Sequence, residues 1–308
     1  MMADEAQRPA HMNLEFEKYH RRPAHLLRRA HQASSLLFVQ AVAALDITQP
    51  RFEALTAIAR YPGADQISLA RGLGIDRSTT TVVLDGLTKC GLIDRTVHPD
   101  DRRKRVLQAT PAGRTVLANA RKHADAAQAQ LLAPLGRAEV DALVEAMVKV
   151  ATAVPSSAPE LAAMVPGMAD SDARTWAPRH VSFLVRRCRQ VSHAMLIDAF
   201  KPFDTTPQQF GIIALLAIAQ ADEANLARMV AVERSAVDKV LRRLKARDYL
   251  ERCPRTETLR LAPAGETAFN AMRGLAEDAD RALLACLDPD DRAHFMGGLL
   301  KLVAHHQA

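Results

Sequence analysis

At 308 residues, 48% hydrophobic and 25% charged, the chain is long enough for two globular cores and too apolar to be a disordered polyelectrolyte. A formal net charge of +6 suits a polyanionic partner without requiring one, and 4% aromatics amid abundant Ala and Leu point to packed helices with few strands. Cys90, Cys188, Cys253 and Cys286 form no CxxC pair, no apolar signal core opens the chain and no run approaches a membrane span, so a soluble cytoplasmic protein is expected.

In chain order, His25 to Leu45 reads as a long helix with Leu26, Leu27, Leu36, Leu37, Val39 and Val42 on its apolar faces. Thr48-Gln49-Pro50 opens a second helix, with Phe52, Leu55 and Ile58 at three-residue steps, and Pro62-Gly63 ends it. Ser68 caps a short helix, Leu69 to Leu73. Gly74 then supplies a tight turn, Asp76 N-caps the helix Arg77 to Cys90, and Gly91 stops it. Helix, tight turn and helix is the layout of a DNA-reading helix-turn-helix. Val82, Val83 and Leu87 are expected to face the core. Arg77, Ser78, Thr79, Thr80 and Thr81 crowd the N-terminal turns, where a recognition helix touches base edges and phosphates. Thr is a poor helix former, so this run reads as contact chemistry more readily than as helix stabilisation.

Leu92 to Val97 and Val106 to Ala109 follow as two short strands around a charged tip, His98 to Arg105. Arg102, Arg103, Lys104 and Arg105 would repel one another in a free loop, and a phosphate backbone or the electronegative minor groove would relieve that repulsion. A strand pair in this place is the wing of a winged helix. Residues 155–178, which hold Pro155-Ser156-Ser157-Ala158-Pro159 and Pro166-Gly167, read as a linker.

Beyond the linker the pattern recurs. Leu69-Ala70-Arg71 returns as Leu226-Ala227-Arg228 and Arg77-Ser78 as Arg234-Ser235, an offset of 226 − 69 = 157, and Arg28-Arg29 returns as Arg186-Arg187 at 186 − 28 = 158. The second copy departs in its chemistry. Glu233, a weaker cap, replaces Asp76, and Ser235-Ala236-Val237-Asp238-Lys239 replaces the hydroxyl run. Pro111 and Pro263 lie 152 apart, so 157 − 152 = 5 residues are missing from the second wing, which keeps Arg255 as the basic residue of its tip. Arg234, Ser235, Lys239 and Arg255 are therefore expected to touch mainly phosphates.

Gln66-Ile67-Ser68-Leu69-Ala70, the recognition helix, Gly91-Leu92-Ile93, Asp100-Asp101-Arg102-Arg103 and Thr110-Pro111-Ala112-Gly113, in this order, resemble the MarR (multiple antibiotic resistance regulator) family of winged-helix transcription factors. The resemblance implies that Arg103 enters the minor groove while Asp101 braces the wing. It also implies dimerisation through terminal helices, here the N-terminal helices, Ala112 to Leu132 with Gly136 to Ala153, and Ala264 to Leu284 with Asp290 to His305. Such proteins bind small phenolic or aromatic carboxylate ligands beside those helices. The matching positions are His25, Arg28, Arg29, His31 and Gln32 in the first copy and Arg186, Arg189, Gln190 and His193 in the second.

The expected fold is thus mainly α: two winged helix-turn-helix domains, 1–154 and 179–308, sharing a helical, dimerisation-like seam as an intramolecular pseudo-dimer. The expected function is a sequence-specific DNA-binding transcriptional regulator, a repressor released by a small aromatic anion, with one chain on an asymmetric, pseudo-palindromic operator. The competing reading is a ligand- or protein-binding module with one DNA-competent head. No catalytic motif (GxxxxGK, GxSxG or HExxH) is present, and the eleven dispersed histidines show no paired metal-ligand spacing, so neither an enzyme, a metal site nor a cofactor is expected.

Overall fold

The structure, a computed structural model, describes residues 17–97, 105–153, 180–230 and 233–307. It is mainly helical with two small antiparallel hairpins. The chain divides into two compact units that cut across the sequence repeats. Residues 26–191 with 286–308 form one, called here the first-wing unit, and residues 1–25 with 192–285 form the other, the second-wing unit.

In the first-wing unit, α1 (Pro23–Ala41) enters from Leu26 onward and buries Leu26, Leu27, Leu37 and Phe38, whereas Leu36 and Val39 face solvent. α2 (Gln49–Arg60) starts at Thr48 with Pro50 in its first turn, and buries Phe52, Leu55 and Ile58 as their spacing predicts. α3 (Gln66–Leu73) and α4 (Arg77–Lys89) meet at Gly74, whose φ of +61° favours a residue without Cβ; a Cβ there would also collide with the Arg187 guanidinium. β1 (Ile93–Val97) pairs with β2 (Arg105–Ala109), Ile93 opposite Ala109, and an isolated bridge from Asp65 to Val106 ties the hairpin to the start of α3. Thr110 caps α5 (Pro111–Leu131), and Gly113 lets this helix press against the Leu92 carbonyl, where a Cβ would clash. Leu69, Leu73, Val83, Leu84, Leu87, Ile93, Leu107 and Leu117 belong to one core.

Two segments from the far half of the sequence complete this unit. α7 (Val181–Phe200) contributes its residues up to Val191, and α12 (Pro289–Gln307) packs along α6 (Arg137–Thr152). Leu143, Met147 and Val150 are buried on α6, as are Phe295, Leu299 and Leu302 on α12, with Lys149–Asp291 and Lys301–Glu139 ion pairs alongside.

The second-wing unit repeats the same order of elements. α8 (Pro207–Ile218) is apolar nearly throughout and buries Phe210, Ile212, Ile213, Leu215 and Leu216. α9 (Glu223–Val230) and α10 (Arg234–Lys245) follow, then β3 (Leu250–Arg252) paired with β4 (Leu259–Leu261) over three residues, against five in the first hairpin, and then α11 (Pro263–Leu284). Glu233 starts α10 without a side-chain cap, as its chemistry predicts. Backbone landmarks recur as well. Asp46 and Asp204 share a left-handed φ of +45°, Gly265 lies against the Tyr249 carbonyl as Gly113 does against Leu92, and Ala221 bridges to Leu259 as Asp65 does to Val106.

Candidate nucleic-acid interface and adjoining cavity

The start of α4 is built around Asp76. Its carboxylate accepts the Thr79 backbone N–H at 2.8 Å and the hydroxyls of Ser78 and Thr79 at 2.5 Å each. These bonds, the Ser78 hydroxyl first and then Thr79, hold the Asp76 carboxyl well below the usual carboxylate range. Ser78 and Thr79 are exposed, and with their protons engaged at Asp76 their oxygens face outward as acceptors, a geometry that fits the amino groups of adenine or cytosine. Arg77 is exposed beside them. Thr81 donates to the Arg77 carbonyl and accepts from Gln66 Nε2, each at 2.9 Å, which braces α4 on α3.

Two expectations for this helix are corrected. Thr80 is fully buried and donates its hydroxyl to the Asp76 carbonyl, so it packs inward and has no surface to offer a duplex. Val82, expected in the core, is 71% exposed on the outward face and can meet a thymine methyl. Asp85 on the same helix pairs with Arg95 of β1 at 2.8 Å, locking the wing's first strand to α4. Arg105 is exposed at the start of β2, while Asp101, Arg102, Arg103 and Lys104 lie outside the described residues.

α10 presents a different surface. Arg234, Ser235 and Lys239 are exposed, and so are Arg242 and Arg243, which the sequence reading passed over although their four-residue step from Asp238 and Lys239 marks them. Arg242, Arg243 and Lys245 in the last turn also suit the negative end of the helix dipole. Arg255 is exposed at the short hairpin, and Arg252 bridges Glu223 and Glu257.

The profile of the MarR family matches residues 47–104, the span from the start of α2 into the first wing. Residues 47–104 are a MarR family domain. A putative transcriptional regulatory protein for the hcr operon of Thauera aromatica is 36% identical over 93 residues, 30% of this chain and 56% of the relative. The HTH-type transcriptional repressor NicR of Pseudomonas putida is 28% identical over 93 residues, 30% of this chain and 59% of NicR. The chain therefore spans little more than half the length of these two relatives. A solved structure of the transcriptional repressor CouR bound to a 23-mer DNA duplex shares 35% identity over 39% of this chain and 86% of that chain, with a TM-score of 0.38.

Behind the MarR domain, α7 grips the helix-turn-helix. Arg186 donates to the Leu73 carbonyl at 2.7 Å and forms a two-pronged pair with Glu53 of α2, at 2.6 Å and 3.3 Å. Gln190 donates to the Gly74 carbonyl at 2.5 Å and accepts from Arg187 at 3.0 Å. These groups satisfy the orphan carbonyls at the end of α3. Burial pushes Arg187 down to about 10, and burial with Arg189 and Arg186 pushes His31 down to about 4. Arg189 is lowered by burial and by Arg186, and Arg29 by burial. Arg28 and Arg29 both donate to Gln32. Cys188 is buried, its thiol donated to the Met147 carbonyl and its acidity suppressed by burial.

A cavity of about 610 Å³ opens in the same unit. Phe38, Phe52 and Phe183 form its aromatic surfaces, the first two 5.3 Å apart, while Arg60, Arg121 and His180 bring basic groups to it. Glu53 and Asp125 also line it, but Glu53 is committed to Arg186. Burial lowers His180, and its Nε2 has no hydrogen-bond partner among the described residues. None of the nine ligand positions expected from the resemblance lines this cavity. Arg186 and Gln190 are turned onto backbone and side-chain partners. His25 is buried in the second-wing unit against His20, and His193 is exposed there. Among the described residues no three His, Cys, Asp or Glu side chains gather as a metal site, and no helix is long and apolar enough to cross a membrane.

Proposed function

We propose that the chain is a sequence-specific DNA-binding transcriptional regulator, acting as a repressor, in which two winged helix-turn-helix domains fused in tandem serve as an intramolecular pseudo-dimer. The observation that carries this reading is the MarR domain at 47–104, with Arg77, Ser78, Thr79 and Val82 on the exposed face of its second helix. The recurring backbone landmarks and the matching element order of the second-wing unit support the tandem arrangement. Interleaving supports the pseudo-dimer: each compact unit includes terminal-helix segments from the other repeat, as dimerisation through such helices requires. A cytoplasmic location goes with this role.

The first head supplies base readout from Arg77, Ser78, Thr79 and Val82 and minor-groove contacts through Arg103. The second supplies phosphate contacts from Arg234, Ser235, Lys239, Arg242, Arg243 and Arg255. The aromatic surfaces, the arginines and the unsatisfied His180 nitrogen make the cavity fit a small aromatic anion, and its volume lies in the usual range for small-ligand sites. Occupancy releases DNA if the ligand binds the non-binding arrangement more tightly.

A mobility-shift and footprinting experiment on genomic operator fragments tests the reading, with the chain-to-duplex ratio measured by analytical ultracentrifugation. One chain per operator with unequal half-site protection is expected. Two chains per operator, or mirror-related losses in Arg77→Ala and Arg234→Ala, would refute the pseudo-dimer.

A further inference from the structure

The position in the second-wing unit that corresponds to the effector cavity is not lined in the same way. Counting by the repeat offsets, the cavity residues Gln49, Glu53, Thr56 and Arg60 correspond to Pro207, Gly211, Ala214 and Ile218, so four polar side chains are replaced by residues without side-chain hydrogen-bonding groups. His180 corresponds to Arg22, and this residue is already engaged. Arg22 Nε pairs with Asp280 at 2.7 Å, its terminal nitrogen donates to the Ala276 carbonyl at 3.0 Å, and its guanidinium lies 5.5 Å from the centre of the Phe210 ring. Phe210 is the counterpart of Phe52, a wall of the cavity.

Other counterparts are filled as well. Phe183 corresponds to His25, which is buried, shares a hydrogen bond with His20 and packs edge-on to Tyr19. The Tyr19 hydroxyl reaches Gly211, so the place of the Glu53 side chain is taken by a phenol from the N-terminal segment. Leu117 corresponds to Phe269, which stacks on Phe210 with ring centres 6.3 Å apart. An arginine and a carboxylate of the protein itself thus stand where a cation and a ligand anion would meet.

We infer that each chain takes a single effector, a one- or two-ring aromatic carboxylate held in the first-wing unit, and that the Arg22–Asp280 pair with Tyr19 permanently fills the corresponding place in the second. The inference rests on the reading of the cavity as an effector site. Its regulatory consequence is one-sided control. Glu53, a cavity wall, holds the Arg186 guanidinium that bonds the Leu73 carbonyl at the helix-turn-helix, whereas Gly211 in the corresponding position has no carboxylate with which to make such a link.

The test uses the full chain and native mass spectrometry with isothermal titration, against benzoate, 4-hydroxybenzoate, 4-hydroxycinnamate and 1-naphthoate individually. Arg121 and Arg273 are matched, exposed positions on α5 and α11, so Arg121→Met and Arg273→Met leave both cores intact. At saturation one carboxylate per chain is expected. Arg121→Met should weaken it about tenfold or more, the loss of one charge-assisted hydrogen bond, and Arg273→Met should not change it. Two carboxylates per chain, or weakening by Arg273→Met in place of Arg121→Met, would overturn the single-site inference while leaving the effector reading standing. Failure of every carboxylate to bind would remove the effector reading itself and the inference with it.

Discussion

Replacing Glu53 with alanine removes one partner of a pair whose side chains are only 10% and 12% exposed, leaving Arg186 charged beside the end of α3. The pair is two-pronged, and the same guanidinium bonds the Leu73 carbonyl. Breaking a buried ion pair from one side costs about 3–5 kcal/mol, because the surviving charge loses its compensation. For a unit of this size each kcal/mol moves the midpoint by about 2–4 °C, so Glu53→Ala should lower Tm by roughly 6–20 °C. The double variant Glu53→Ala with Arg186→Met, which buries no charge, should recover a large part of that loss. Thermal unfolding of the wild type, both single variants and the double variant closes the cycle. A Glu53→Ala drop below about 3 °C, or strictly additive single effects, would show that the pair does not hold α7 on the helix-turn-helix.

The pH dependence of stability follows from His31. Burial, with Arg189 and Arg186, holds it at about 4, so it is neutral in the folded protein while its unfolded form gains a proton near its ordinary value. Stability is therefore full above about pH 6.5 and falls as pH drops from there to about 4, by as much as ~3 kcal/mol, and His31→Gln should flatten that slope in urea titrations. Thr80→Ala, at a buried hydroxyl, should cost about 1 kcal/mol of stability and leave base preference unchanged, whereas Thr79→Ala should alter discrimination at one base pair in binding-site selection. Gly63 and Gly74 both have positive φ, but a Cβ at Gly63 meets open space and one at Gly74 meets Arg187, so Gly74→Ala should destabilise by at least ~1 kcal/mol more on urea unfolding. Lys239→Ala should reduce the salt slope of DNA binding by about one and weaken all sequences alike in titrations across salt concentrations; a sequence-selective loss would assign base contacts to the second head.

Much of the first helix-turn-helix was legible locally. Gly74, Asp76 and Gly91 punctuate it through backbone geometry and capping, which depend on neighbours within a few residues, and they stand where expected. The missed face of α4 was also written in the chain. Val83, Leu84 and Leu87 set the helical phase, which carries position 80 inward and position 82 outward, yet hydrophobicity alone favours the opposite assignment for a Thr and a Val. The wing's length difference was readable by counting, and the structure shows it as five paired residues against three.

Other features depend on residues that no local pattern connects. The cavity needs Phe38, residues 49–60, residues 117–125 and residues 180–183 on one wall system, and its discovery requires the packing of α7 against α2 and α5. Arg186 was expected among the ligand groups because the family resemblance matches its position to them; tertiary structure gave it a carboxylate and a carbonyl, and so a different task. The boundaries of the compact units were likewise decided in three dimensions. The repeats define 1–154 and 179–308, but the apolar faces of 181–191 and of α12 are buried with the first wing, because an amphipathic helix is placed by whichever surface covers it and not by its position in the chain.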